Sequence, residues 1–93
     1  MGRKRSRIEI IADILEAVDN APQNPTRLAT IANLPYDRLQ PILRDLEARG
    51  VVTVTPAPDG KGSIVELTEK GRVLLWEIRR LRKVLEDFGL DIL

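Results

Sequence analysis

Isoleucine, leucine and valine recur along the first part of the chain at helical rather than strand spacing. In "RSRIEIIADILEAVDN" Ile8, Ile11, Ile14, Leu15 and Val18 fall on one side, and Ser6 with Glu9 three residues on has the form of a capping box. A first helix over 6–19 is predicted. The next stretch, "APQNPTRLATIANLP", offers Asn24 as N-cap and Pro25 at the first helical position, turns Leu28 and Ile31 inward with Ala32 as a further candidate, and supplies Asn33 as a left-handed terminator. That is a short second helix. In "LPYDRLQPILRDLEARG", residues 34–50, Leu39, Ile42, Leu43 and Leu46 share one face and Gly50 stands where a C′ glycine would. The interval before this third helix is that of a helix-turn-helix.

After Gly50 the period changes. Two β-branched runs, 51–55 and 63–67, flank a loop of Pro, Asp and Gly and predict a hairpin. Thr68 then caps a long final helix, "TEKGRVLLWEIRRLRKVLEDFGLDIL", running to about Phe88. In it Leu74, Ile78, Leu81, Leu85 and Phe88 recur at steps of four and three, as in a coiled-coil seam that Ile92 extends. Trp76 lies off the seam and is expected to be a core residue where the helix docks on its domain. The fold class is therefore α+β, mostly α: a basic arm over 1–7, a domain of three helices and a two-stranded wing over 8–69, and a C-terminal dimerisation helix over 70–93.

Pro41 complicates the third helix, because an interior proline removes one backbone hydrogen bond. Two arrangements accommodate it. Either Asp37 is the N-cap with Gln40 as its capping-box partner, which puts Pro41 just past the first turn, or the helix starts at Tyr36 with a local kink. Opposite the apolar stripe lie Asp37, Pro41, Arg44, Asp45 and Ala48, flanked by Arg38 and Gln40. Pro41 offers no donor to a base edge and the two carboxylates would be repelled by phosphate, which argues against direct base reading by this helix.

At 93 residues the chain makes one domain with a core close to marginal, so a partner is expected. With no cysteine and no histidine, disulfides are excluded and the commonest general base and metal ligand are both missing. Asp13, Glu16, Asp45 and Glu47 are placed outward without a base that titrates near neutrality, and no phosphate loop or metal spacing occurs. No enzymatic activity, cofactor, metal or small-molecule ligand is expected. The N-terminal apolar run is short and broken by Glu9 and Asp13, so neither a signal peptide nor a membrane span is expected, and a cytoplasmic, nucleoid-associated location is.

Charge is unevenly distributed. Residues 1–7 carry +4, residues 8–69 −5, residues 70–83 +5 and residues 84–93 −3, which sum to +1. Attraction to nucleic acid is thus expected from the arm and the late basic block. Because Arg79, Arg80, Arg82 and Lys83 precede Glu86, Asp87 and Asp91, antiparallel pairing of two final helices would set opposite charges together.

Three helices followed by a hairpin is the winged-helix order. The strings "RSRIEIIADIL", "ANLPYDRL", "LEARGVV" and "LTEKGRVLL" resemble the small archaeal winged-helix DNA-binding proteins, above all the ten-kilodalton Sulfolobus chromatin-associated family. More distantly they resemble MarR-like and PadR-like regulators, in which "TEKG" also occurs. The resemblance implies a homodimer joined by an antiparallel coiled coil. The expected function is a dimeric winged-helix protein, a transcription regulator or chromatin-associated protein, that binds double-stranded DNA mainly through phosphates. The alternative is a winged helix serving as a protein-interaction module in a transcription-related complex, which the acidic body would suit. Candidate DNA-binding residues are Arg3, Lys4, Arg5 and Arg7 in the arm, Thr26 and Arg27 on the second helix, Tyr36, Arg38, Gln40 and Arg44 on the third, and Lys61 in the wing. Candidate dimerisation residues are Leu74, Ile78, Leu81, Leu85, Phe88 and Ile92.

Overall fold

The computed structural model describes residues 6–90. Its elements follow the predicted order: α1 (Arg7–Asn20), α2 (Pro25–Ala32), α3 (Tyr36–Ala48), β1 (Val52–Pro56), β2 (Ser63–Leu67) and α4 (Glu69–Asp87). The caps read from the sequence explain three of the four helix starts. The Ser6 hydroxyl accepts from the Glu9 N–H at 3.3 Å while the Glu9 carboxylate accepts from the Ser6 N–H at 2.9 Å, a complete capping box. Asn24 Oδ1 accepts from the Arg27 N–H at 2.8 Å with Pro25 at the first helical position, and Asn33 closes α2 at φ 56°. Thr68 caps α4 through the Gly71 N–H at 3.0 Å.

The fourth start differs from the capping-box alternative. α3 begins at Tyr36 with Pro35 as its N-cap, no side-chain cap bond is made, and Asp37 lies inside the first turn. Leu34 packs against the core and its N–H donates to the Ala29 carbonyl at 2.9 Å, which leaves Pro35 as the last extended residue. The first turn is held by a Gln40 Nε2 donation to Tyr36 Oη. Pro41 is exposed, so the single backbone bond it removes lies on the solvent side of the helix.

The hairpin pairs Val52 with Leu67 and Val54 with Val65 in antiparallel register. A third strand position joins it that periodicity did not reveal: Gln23 and Val65 exchange two backbone hydrogen bonds, of 3.1 and 2.7 Å. One core unites all six elements, with Ile14, Leu15, Leu28, Leu39, Val52, Val65 and Leu75 fully enclosed. Ile8 and Ile31, expected inside, are exposed; Ile10, Ala12 and Ala29 are buried instead, together with Ala32, already a candidate for the inward side. The alanines let the helix backbones approach closely, which turns the bulky neighbours to the margins.

α4 docks along Gly71, Leu75 and Ile78. A Cβ at Gly71 would lie 2.2 Å from the Val51 carbonyl oxygen, so the glycine is what admits the helix to the sheet. The Thr68 hydroxyl sits 2.6 and 2.9 Å from the Gly50 and Val51 carbonyls, tying the start of α4 to the exit of α3. Trp76, expected in the docking core, is 60% exposed, because the helix turns its Leu75 and Ile78 side inward and Trp76 away. The helix stops at a left-handed Gly89, with the Leu90 N–H donating to the Leu85 carbonyl at 2.7 Å in a Schellman-type closure.

Candidate nucleic-acid interface

The start of α2, the start of α3 and the tip of the wing converge on a cleft of about 620 Å³. Thr26, Arg27, Thr30 and Ile31 line it from α2, Tyr36 from α3, and Lys61 to Ser63 from the wing. Four candidates separated by up to 35 positions, Thr26, Arg27, Tyr36 and Lys61, are thereby brought together. The wing holds Lys61 outward by local chemistry: the Asp59 carboxylate accepts from the Lys61 N–H at 2.9 Å, and Gly60 and Gly62 take φ values of 76° and 78° that only glycine adopts freely.

Arg38 and Arg44 are exposed on α3, and neither pairs with a described carboxylate. Gln40 is half-buried and bonded to Tyr36, so it orients the tyrosine at the edge of the cleft. Ile31 and Thr30 complete this surface. The helical pattern alone turns Ile31 inward, since size ranks it above the alanines that occupy the core.

At the other end of α3 the carboxylate of Asp45 is held between two guanidinium groups, Arg49 at 2.9 Å and Arg7 at 3.4 Å. The hydrogen bond from Arg49, with Arg7 adding to it, keeps the Asp45 carboxyl below its usual range. Repulsion of phosphate by Asp45 is therefore offset locally, and Arg7 is docked on α3. The other arm residues, Arg3, Lys4 and Arg5, and the seam residue Ile92 lie outside the described residues.

The late basic block does not form a free positive surface, which corrects the expectation drawn from the linear charge pattern. Arg79 donates to Glu16 at 2.6 Å and to Asp19 at 3.1 Å, and Arg82 lies 3.8 Å from Glu16. Arg72, Arg80 and Lys83 pair along α4 with Glu69, Glu77 and Asp87. The hydrogen bond from Arg79 holds the Glu16 carboxyl below the usual carboxylate range. The carboxylates come from α1, some sixty positions away, where a charge tally along the chain does not find them. Cations engaged in this way also supply no direction for pairing two α4 helices.

On the outer side of α4, Leu81, Val84 and Phe88 are exposed, Leu85 is half-buried, and together they form a continuous apolar strip that Leu90 prolongs. Leu74 is half-buried against its own domain and Ile78 belongs to that domain's core, so neither is free for a second chain. Among the described residues no helix is long and apolar enough to cross a membrane.

No curated protein matches the chain in sequence. Solved structures do match. The transcriptional repressor CouR, solved bound to a 23-mer DNA duplex, superposes with a TM-score of 0.78 at 28% identity over 85% of this chain and 57% of its own. Sso10a-2, a DNA-binding protein from Sulfolobus solfataricus, superposes with a TM-score of 0.76 at 29% identity over 91% of this chain and 86% of its own. The transcriptional regulator BldR from the same organism gives a TM-score of 0.73 at 28% identity over 85% of this chain and 61% of its own. The chain thus spans less than two thirds of CouR and BldR and most of Sso10a-2, and its fold is that of DNA-binding transcription regulators. With α3 in the helix-turn-helix, the hairpin as wing, and the winged helix-turn-helix family model matching residues 4–86, the chain belongs to that family.

Proposed function

We propose that this protein binds duplex DNA as a homodimer, as a transcription regulator or chromatin-associated protein, and that most of the affinity comes from phosphate contacts. The observation that carries this reading is the convergence of Thr26, Arg27, Tyr36 and Lys61 on one cleft, with Arg38 and Arg44 exposed on the same helix as Tyr36. α3 enters the major groove, the N-terminus of α2 and Lys61 of the wing hold the flanking backbone, and Arg3, Lys4 and Arg5 add contacts beyond α1. The likeness to CouR bound to a duplex and to the DNA-binding protein Sso10a-2 supports it.

The second chain covers the outer strip of α4, where Leu81, Val84, Leu85 and Phe88 present apolar area that the chain's own core leaves uncovered. Taken antiparallel, the direction that the resemblance to the ten-kilodalton Sulfolobus family implies, two such helices would pair about a point between Val84 and Leu85, which sets Leu81 against Phe88 and holds two winged domains apart for bridging contacts.

The test is a titration of random-sequence duplex with the wild type and with the Arg27→Ala Lys61→Ala double variant. The double variant should keep its melting temperature and bind tenfold or more weakly, since a cation that neutralises phosphate adds attraction on every sequence. Equal binding by both proteins would move the interface elsewhere, and no binding by either would leave the fold as a protein-interaction module.

A further inference from the structure

The outermost line of α3 carries one residue that a phosphate-binding surface does not explain. Asp37, Pro41, Arg44 and Ala48 are all exposed, and at helical spacing they stand opposite the buried Leu39, Leu43 and Leu46. Arg44 suits phosphate or a guanine edge. Asp37 suits neither, because its carboxylate is repelled by phosphate and by the acceptor edges of guanine and thymine. Asp45 differs, since Arg7 and Arg49 hold it from two sides. Among the described residues, none donates a side-chain hydrogen bond or an ion pair to Asp37.

Position sharpens the contrast. Asp37 is the second residue of α3, next to Tyr36 at the cleft. In helix-turn-helix proteins it is the N-terminal residues of this helix that contact base edges. Acceptor oxygens without a donor complement one kind of major-groove group, an exocyclic amine. Cytosine presents N4 as a donor, whereas adenine sets the N7 lone pair beside its own amine, so cytosine is the better partner.

We infer that Asp37 is a base-selecting residue of α3, accepting a hydrogen bond from a cytosine N4 amine and disfavouring the other bases at that position. This rests on the duplex-binding reading above. It adds a single preferred position to an affinity that otherwise comes from phosphates. The positive end of the helix dipole would also favour an acid in an uncapped first turn, but that role leaves the choice of base untouched.

The test is selection from randomised duplexes, followed by sequencing, with the full chain as wild type, Asp37→Ala and Asp37→Asn. Thermal melts establish that each is folded, and generic affinity is measured against salt. The wild type should enrich cytosine roughly fivefold or more at one position. Asp37→Ala should lose that enrichment alone, bind generic duplex at least as tightly, and keep the wild-type salt slope, since every phosphate partner is still in place. Asp37→Asn, which can pair bidentately with adenine, should shift the preference towards that base. Identical base profiles for all three proteins would overturn the inference while leaving duplex binding intact. A folded Asp37→Ala protein with weakened generic binding would overturn it as well, and a wild type that binds no duplex would remove the proposed function and this inference together.

Discussion

Gly71 shows how one side chain's absence positions a helix. A methyl group there would meet the Val51 carbonyl oxygen at 2.2 Å and Leu67 Cδ1 at 2.6 Å, atoms fixed by the hairpin and the core. Gly71→Ala should therefore cost about 1–3 kcal/mol as overpacking does, lowering the melting temperature by roughly 10 °C. An unchanged melting temperature would mean that α4 sits farther from β1. On α3, Leu43→Ala should cost about 2–5 kcal/mol, whereas exposed Arg44→Ala should leave stability alone and weaken DNA binding. Equal melting temperatures for these two variants would contradict the assignment of faces. The Glu16 carboxylate gives a pH signature. Arg79 lowers its folded-state value below the ordinary 4.5, so its contribution is complete above about pH 4.5 and is lost as pH falls through the lowered value. The melting-temperature gap between wild type and Glu16→Gln should be open at pH 7 and narrow as pH falls below about 4.5, and a gap with no dependence on pH across the acid range would show that the ion pair is not its cause.

At the scale of elements, what is legible in the sequence is whatever local chemistry decides. Ser6 with Glu9, Asn24 with Pro25, and Thr68 mark helix starts because each satisfies backbone donors within its own first turn. Less legible is whatever another element decides. The start of α3 depends on how Leu34 seats in the core, the exposure of Ile31 on how α2 docks with Ala29 and Ala32 inward, and the bridge from Gln23 on the edge of β2. The candidate site divides in the same way. Lys61, Arg27 and Tyr36 are recognisable as exposed donors, but the cleft that joins them exists only once the wing folds back on α2. The basic block of α4 looks free along the chain because Glu16 and Asp19 are remote in sequence. α4 consequently docks on its own domain over its first half, and in the proposed dimer its second half would pair with another chain. Ile78→Asp should unfold the domain by burying a charge in its core, whereas Leu81→Asp with Phe88→Asp should leave the melting profile of a folded domain and halve the sedimenting mass. Should both changes behave alike, the boundary between docking and pairing segments of α4 is misplaced.

The molecule measures 47 × 34 × 21 Å, and α4 with its 19 residues is about 28 Å long. A helix of that length, half engaged with its own domain, leaves a short apolar strip, so the proposed dimer should be concentration-dependent and should bind DNA more tightly for having two heads. Net charge at this scale is +1, and the described body is weakly charged overall, so affinity must come from where cations are placed rather than from their number. Arg27 and Lys61 line one cleft and Arg38 and Arg44 are exposed on α3, while the cations of α4 other than Lys70 are tied to carboxylates. The measurement that tests this most directly is the affinity of the wild-type chain for a random duplex as a function of salt. Each phosphate neutralised contributes about −0.9 to the slope of log K against log salt, and the account predicts a slope of roughly −3 or steeper. A flat dependence, or no binding at low salt, would contradict it.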